Sequence, residues 1–203
     1  ALQQGRYTWR HNRVLREIAD LIDSKRRAVN KATVPKKKGI NFVRSGDITV
    51  KKRQVQPEDS YLHGARDWEM KVDLDRQLSI PTDIACTNQR PDLIIYSRSS
   101  RKIAIIELTV PGEERVGVAN ELKKLKYTEL EEECKRKGFV PRIWAVEIGS
   151  RGFPASSMSG MLKDFGLTGR GRKDALKKLS QTAVEASQVL WWKASVPEWG
   201  SIH

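Results

Sequence analysis

The sequence is poor in residues that build covalent or metal-stapled scaffolds. Two cysteines, Cys86 and Cys134, and three histidines, His11, His63 and His203, are all that 203 residues contain. Neither cysteine has a Cys or His partner at zinc-ligand spacing, which argues against a structural zinc site. Both are read as reduced core thiols of an intracellular protein. The histidines are too scattered to suggest a nucleophilic triad, and no G-x-S-x-G, P-loop or G-x-G-x-x-G pattern occurs. No apolar run approaches the roughly 18 residues that a membrane span needs. The opening Ala1-Leu2-Gln3-Gln4-Gly5 has no signal-peptide pattern, and without an initiator Met the chain is expected to be a piece of a larger polypeptide.

Positive charge is what the sequence has in excess. Lys plus Arg number 38 against 25 Asp plus Glu, a formal net charge of +13. Such a balance points to a polyanionic partner, most often nucleic acid. The charge is uneven: residues 25–53 hold eleven Lys or Arg and a single acid, Asp47. Pro35, Gly39 and Gly46 punctuate that stretch, so a basic loop with a short hairpin is expected within 25–60. Lys36, Lys37, Lys38, Lys51, Lys52 and Arg53 are its candidate phosphate contacts; a disordered basic spacer is the plainer alternative.

Hydrophobic spacing supplies the elements. Val14, Leu15, Ile18, Leu21 and Ile22 predict a helix over about 12–24, capped by Asn12, with Glu17 at the edge of its apolar face. Residues 68–75 alternate in polarity like a half-buried strand. Leu93–Tyr96 and Lys102–Val110 read as buried strands joined by a turn at Ser99-Ser100. A helix over about 114–137 ends at Gly138, and Pro141–Ile148 forms a further strand. Strand, helix and strand in that order predict a parallel crossover. Helices over 155–166 and 170–193 form a C-terminal extension. The expected fold is one α/β domain over 1–203, a mixed sheet flanked by helices.

Two acids stand out against this pattern. Asp92 opens one apolar strand and Glu107 lies inside the next, between Ile106 and Leu108. A carboxylate there is expensive unless paired or bound to a cation. The tight turn between the strands sets the two acids nearly opposite each other. Their repulsion is resolved by a hard divalent ion, and Mg²⁺ suits a site with few carboxylates and room for water. On the following helix, Lys123 and Lys126 project within the apolar arc and can reach the same pocket. A structural ion pair with Asp92 or Glu107 is the competing reading. A carboxylate-held metal beside a lysine suits phosphodiester hydrolysis. His11 has two readings, a capping or packing residue and a lining of this site.

With these residues in view, Arg90-Pro91-Asp92 followed by Glu107-Leu108-Thr109 resembles the PD-(D/E)xK nuclease superfamily. More narrowly, the chain resembles the restriction-like endonuclease domain of site-specific non-LTR retrotransposons and of reverse-transcriptase-derived proteins. That likeness rests on Tyr7–Asn12, Arg90–Leu93, Ile106–Pro111, Lys123–Tyr127 and Val146–Phe153, in order along nearly the whole chain. It implies a restriction-endonuclease-like αβββαβ core and a Mg²⁺-dependent DNA endonuclease, with Mn²⁺ able to substitute. Asp92 and Glu107 would be catalytic metal ligands, and Glu17 would correspond to the superfamily's occasional helix acid, a third ligand. An ion pair of Glu17 with Arg13 or Arg10 is the alternative. The superfamily's usual lysine, two residues after the acid, is replaced by Thr109. In the retroelement branch the lysine comes from the next helix in a Lys-x-x-Lys-Tyr pattern, which Lys123, Lys126 and Tyr127 match. The implied job is nicking target DNA for retroelement insertion or cutting branched DNA in the nucleus, as a homodimer where both strands are cut. A catalytically inactive nucleic-acid-binding module of a reverse-transcriptase-derived protein, with RNA as a further partner, is the rival reading.

Overall fold

In a computed structural model of the chain, the residues described are 4–32, 60–74, 76–111 and 127–193. Four helices and four strands occur among them, in the order α1 (Gln4–Lys31), β1 (Glu69–Val72), β2 (Leu93–Ser97), β3 (Lys102–Thr109), α2 (Thr128–Arg136), β4 (Val140–Glu147), α3 (Ser156–Asp164) and α4 (Gly169–Trp192). The sheet order is β1-β2-β3-β4. The β1/β2 and β2/β3 pairs are antiparallel and β3/β4 is parallel, as the crossover order requires. The fold is α/β with a mixed sheet.

β2 and β3 are buried along most of their length because both faces of the sheet are covered. Leu93, Ile95, Ala104, Ile106 and Leu108 pack on one side with Val14, Leu15, Ile18 and Ile22 of α1, Met161 and Leu162 of α3, and Leu179 and Ala183 of α4. On the other side Ile94, Tyr96, Ile103 and Ile105 pack with Tyr127, Leu130, Cys134 and Phe139. No helix among the described residues is long and apolar enough to cross a membrane.

Several boundaries differ from the pattern-based reading. α1 starts eight residues earlier than expected and runs on through Lys31, so Lys25, Arg26, Arg27 and Lys31 belong to a helix and not to the basic loop. Arg26 and Arg27 both pair with Asp23, at 2.7 and 2.5 Å, and Arg26 also donates to the Trp68 carbonyl. These i,i+3 and i,i+4 pairs support helix where charge alone suggested a solvated run. Asn12 therefore lies inside α1 and caps nothing; its Nδ2 donates to the Leu74 carbonyl at 2.6 Å. The expected hairpin near Gly46, and residues 114–126 of the expected crossover helix, lie outside the described residues. Cys134 is buried as expected, but Cys86 is exposed. It follows the turn at Pro81–Ala85, where the chain has left the sheet, and its thiol faces the Thr82 carbonyl.

Gly152 sits at φ +87°, with Ser180 O and Val184 Cγ2 each 2.7 Å from where a Cβ would stand. Gly152→Ala should lower stability by about 1–3 kcal/mol, read by urea unfolding, since both backbone strain and overpacking oppose the methyl. The two thiols give a second check, because burial pushes the Cys134 thiol up to about 11, with Glu133 and Glu131 adding to it. Iodoacetamide at pH 8 should alkylate Cys86 alone in the folded protein and both cysteines in denaturant. Equal labelling of Cys134 before unfolding would contradict this packing.

Candidate active site

The β2/β3 ladder ends where the two acids stand. Leu93 pairs with Ile106, so Asp92 and Glu107 occupy the next opposed positions beyond the ladder. Glu107 is an interior strand residue of β3 and only 6% exposed. Sheet alternation puts it on the side of Ile103 and Ile105, facing Tyr127 just before α2. The Tyr127 hydroxyl donates to Glu107 Oε2 at 2.7 Å. The Asp92 backbone N–H approaches the same oxygen at 3.4 Å. Burial, and next the charge of Glu107, push the Tyr127 phenol far above its ordinary range, so it stays a neutral donor.

Asp92 is a bend residue and half-buried. Its carboxylate turns across the strand end, and Oδ2 accepts the Leu108 N–H at 2.7 Å. His11 Nε2, from α1, lies 3.2 Å from the same oxygen and 3.3 Å from the Leu108 carbonyl. The His11 alternative that seemed the lesser one in the sequence is thus the one the geometry favours. α1 reaches this spot because Asn12 ties it to Leu74 and Arg10 Nη2 donates to the Val110 carbonyl at 2.9 Å.

These groups open on a cleft of about 500 Å³. Its lining joins Asp92, Glu107, His11 and Thr109 with three arginines, Arg10, Arg76 and Arg90. Arg90 donates to the Arg76 carbonyl, and Arg76 holds a positive φ of 56°, a strained backbone at the cleft wall. Asp73 also lines the cleft, but its Oδ1 accepts the Gln77 and Leu78 N–H groups at 2.8 and 3.1 Å, a turn-forming role. Cations and carboxylates thus face one space.

Other sequence candidates are placed elsewhere. Glu17 pairs with Lys178 of α4 and is absent from the cleft lining, so neither Arg13 nor Arg10 is its partner. Asp83 pairs with Arg98 at 2.8 Å. Arg142 pairs with Asp164. Thr109, at the position of the superfamily's usual lysine, closes β3 and lines the cleft. Lys123, Lys126, Lys36, Lys37, Lys38, Lys51, Lys52, Arg53 and Asp75 lie outside the described residues. Tyr127 enters the sequence reading only as the last residue of the Lys-x-x-Lys-Tyr pattern, and nothing in local spacing ties Arg10 or Arg76 to Asp92.

The donor set is suited to a hard cation. Both hydrogen bonds described for the Asp92 carboxylate fall on Oδ2, leaving Oδ1 as an acceptor, and Glu107 supplies a second carboxylate. Mg²⁺ characteristically takes one or two carboxylates and completes its octahedron with water. No cluster of three or more His, Cys, Asp or Glu arranged for a metal occurs among the described residues.

No protein-family model matches the chain, and no curated protein matches it. The functional reading therefore rests on the cleft.

Tyr127→Phe removes the O–H that satisfies Glu107 and little else. It should destabilise the protein by about 1.5–3 kcal/mol, as expected for losing a buried hydrogen bond to a charged group, measured by urea unfolding. A change within about 0.3 kcal/mol would mean the carboxylate does not depend on that phenol.

Proposed function

We propose that the protein is a metal-dependent DNA endonuclease built on a restriction-endonuclease-like core. The observation that carries this reading is the convergence of Asp92 and Glu107 in a cleft whose walls also present Arg10, Arg76 and Arg90. Two carboxylates together repel a phosphate unless a cation stands between them, and arginines on the wall of the same cleft supply positive charge to an entering anion. The +13 charge supplies the long-range attraction for a polyanion.

Asp92 and Glu107 are the residues that would hold Mg²⁺ or Mn²⁺. Bound there, the ion supplies Lewis acidity toward a phosphoryl oxygen and acidifies water. The protein's own groups do the rest. The Leu108 N–H and His11 fix the Asp92 carboxylate, and Tyr127 fixes that of Glu107, so neither acid must reorganise on binding. Arg10, Arg76 and Arg90 bind and orient the phosphodiester backbone. Lys123 and Lys126, on the segment that follows β3, are assigned to charge developing on the scissile phosphate. The basic stretch with Lys36, Lys37, Lys38, Lys51, Lys52 and Arg53 holds the flanking duplex. Glu17 is left out of the metal set, since Lys178 already neutralises it.

The second reading, a binding module without catalysis, is favoured by one feature: Thr109 stands in the cleft where the superfamily's lysine is usual. Supercoiled-plasmid nicking separates the two. Wild type should nick with Mg²⁺ or Mn²⁺ and stop on addition of EDTA. Asp92→Asn should lose about 100-fold or more of the rate, the scale of losing a metal ligand, while still binding DNA. Nicking by Asp92→Asn at the wild-type rate would end the nuclease reading. Absence of nicking by either protein, with steeply salt-dependent DNA binding by both, would establish the binding module.

A further inference from the structure

A second hollow is linked to the cleft through Arg10. Arg10 lines the cleft, where Nη2 bonds the Val110 carbonyl, and its Nη1 lies 3.4 Å from the hydroxyl of Ser187 on α4, which lines the hollow. The Ser187 hydroxyl, with one proton to donate, lies 2.6 Å from the Ser150 carbonyl and 2.8 Å from that of Ala183, which sets α4 against the loop after β4. Beyond that hydroxyl opens a hollow of about 280 Å³, lined by Ser150, Arg151, Val184, Ser187, Gln188 and Trp191.

Its chemistry is specific. Trp191 is 75% exposed, an indole face turned to water at the end of a well-packed helix. Large aromatics left in solvent beside an arginine mark a binding surface more often than a fold requirement. Among the described residues no acidic side chain lines this hollow, which provides an aromatic face, a guanidinium, an amide and hydroxyls. That set suits a nucleotide: a base to stack, a phosphate to pair, and base edges for hydrogen bonds. A base inside a duplex has both faces occupied by its neighbours, so within a strand only an unpaired one can lie on Trp191.

We propose that this hollow binds an unpaired nucleotide adjoining the phosphate that occupies the cleft, with Trp191 stacking on the base and Arg151 meeting its phosphate. The inference rests on the cleft being a DNA site, and it narrows the substrate to DNA with a flap, branch or unpaired end beside the cut. Continuity through Arg10 places the nucleotide next to the cleft, and the net positive charge of the chain favours a polyanion over a protein partner.

The test is fluorescence anisotropy with the whole chain, in Ca²⁺ so that DNA stays uncut. A DNA carrying a short single-stranded flap is compared with a blunt duplex of equal length. Trp191→Ala should weaken flap binding about 5- to 150-fold and leave blunt-duplex binding within about twofold, whereas Trp191→Phe, which keeps a ring, should recover most of the loss. Because Trp191 is exposed, the melting temperature should not change. Equal weakening on both DNAs, or no weakening on the flap, overturns the proposal. So does a dimer that Trp191→Ala dissociates with flap binding intact, which would make the hollow an interface between two copies. Because the readout is binding, the two readings fail separately. Flap preference lost in Trp191→Ala without any nicking by wild type sinks the nuclease, and nicking with unaltered flap binding sinks the hollow.

Discussion

A carboxylate inside a sheet must be answered, and the way Glu107 is answered organises this molecule. An uncompensated buried charge costs several kcal/mol, enough to consume much of a domain's stability. Here the Tyr127 hydroxyl meets it from the segment leading into α2, and the Asp92 N–H approaches it from the end of β2. Asp92 in turn takes the Leu108 N–H and the imidazole of His11. One short chain of polar contacts therefore ties α1, β2, β3 and the start of α2 to a single point. Tyr127 also illustrates why burial is useful: a phenol held neutral there donates at any working pH, whereas a titrating donor would not.

The same point has a second electrostatic layer. Acids at the end of the ladder and arginines on the wall are kept apart by backbone engagement: Arg10 is held on the Val110 carbonyl and Arg90 on the Arg76 carbonyl. Had the arginines closed onto Asp92 and Glu107, the cleft would be an internal salt-bridge network with nothing left for a ligand. Holding them on carbonyls preserves opposite charges facing a common space, as preorganised recognition of a bridged anion demands. The positive φ of Arg76 is the local strain that accompanies this placement.

Period-based patterns made the sheet legible. Apolar runs at 93–96 and 102–110 fit strands buried on both sides, and a strand-helix-strand order favours a parallel pair; the observed register then puts Asp92 opposite Glu107. What escaped the sequence depends on long-range partners. α1 extends beyond its apolar stripe because Asp23 neutralises Arg26 and Arg27, and Asn12 bonds a carbonyl 62 residues away instead of capping. Glu17 looked equivalent to a metal ligand until Lys178, 161 positions later, turned out to face it. His11 is the clearest case: its neighbours in sequence say cap, and its neighbours in space say site.

The account stands on Asp92 and Glu107 gripping one divalent ion between them. Electron paramagnetic resonance of a Mn²⁺ titration reads this without any DNA, since bound Mn²⁺ loses the six-line signal of the free ion. A single Mn²⁺ bound by wild type, and none at the same concentrations by Asp92→Asn or Glu107→Gln, is the predicted result. Equal Mn²⁺ uptake by wild type and the double variant, or none by wild type, would contradict it.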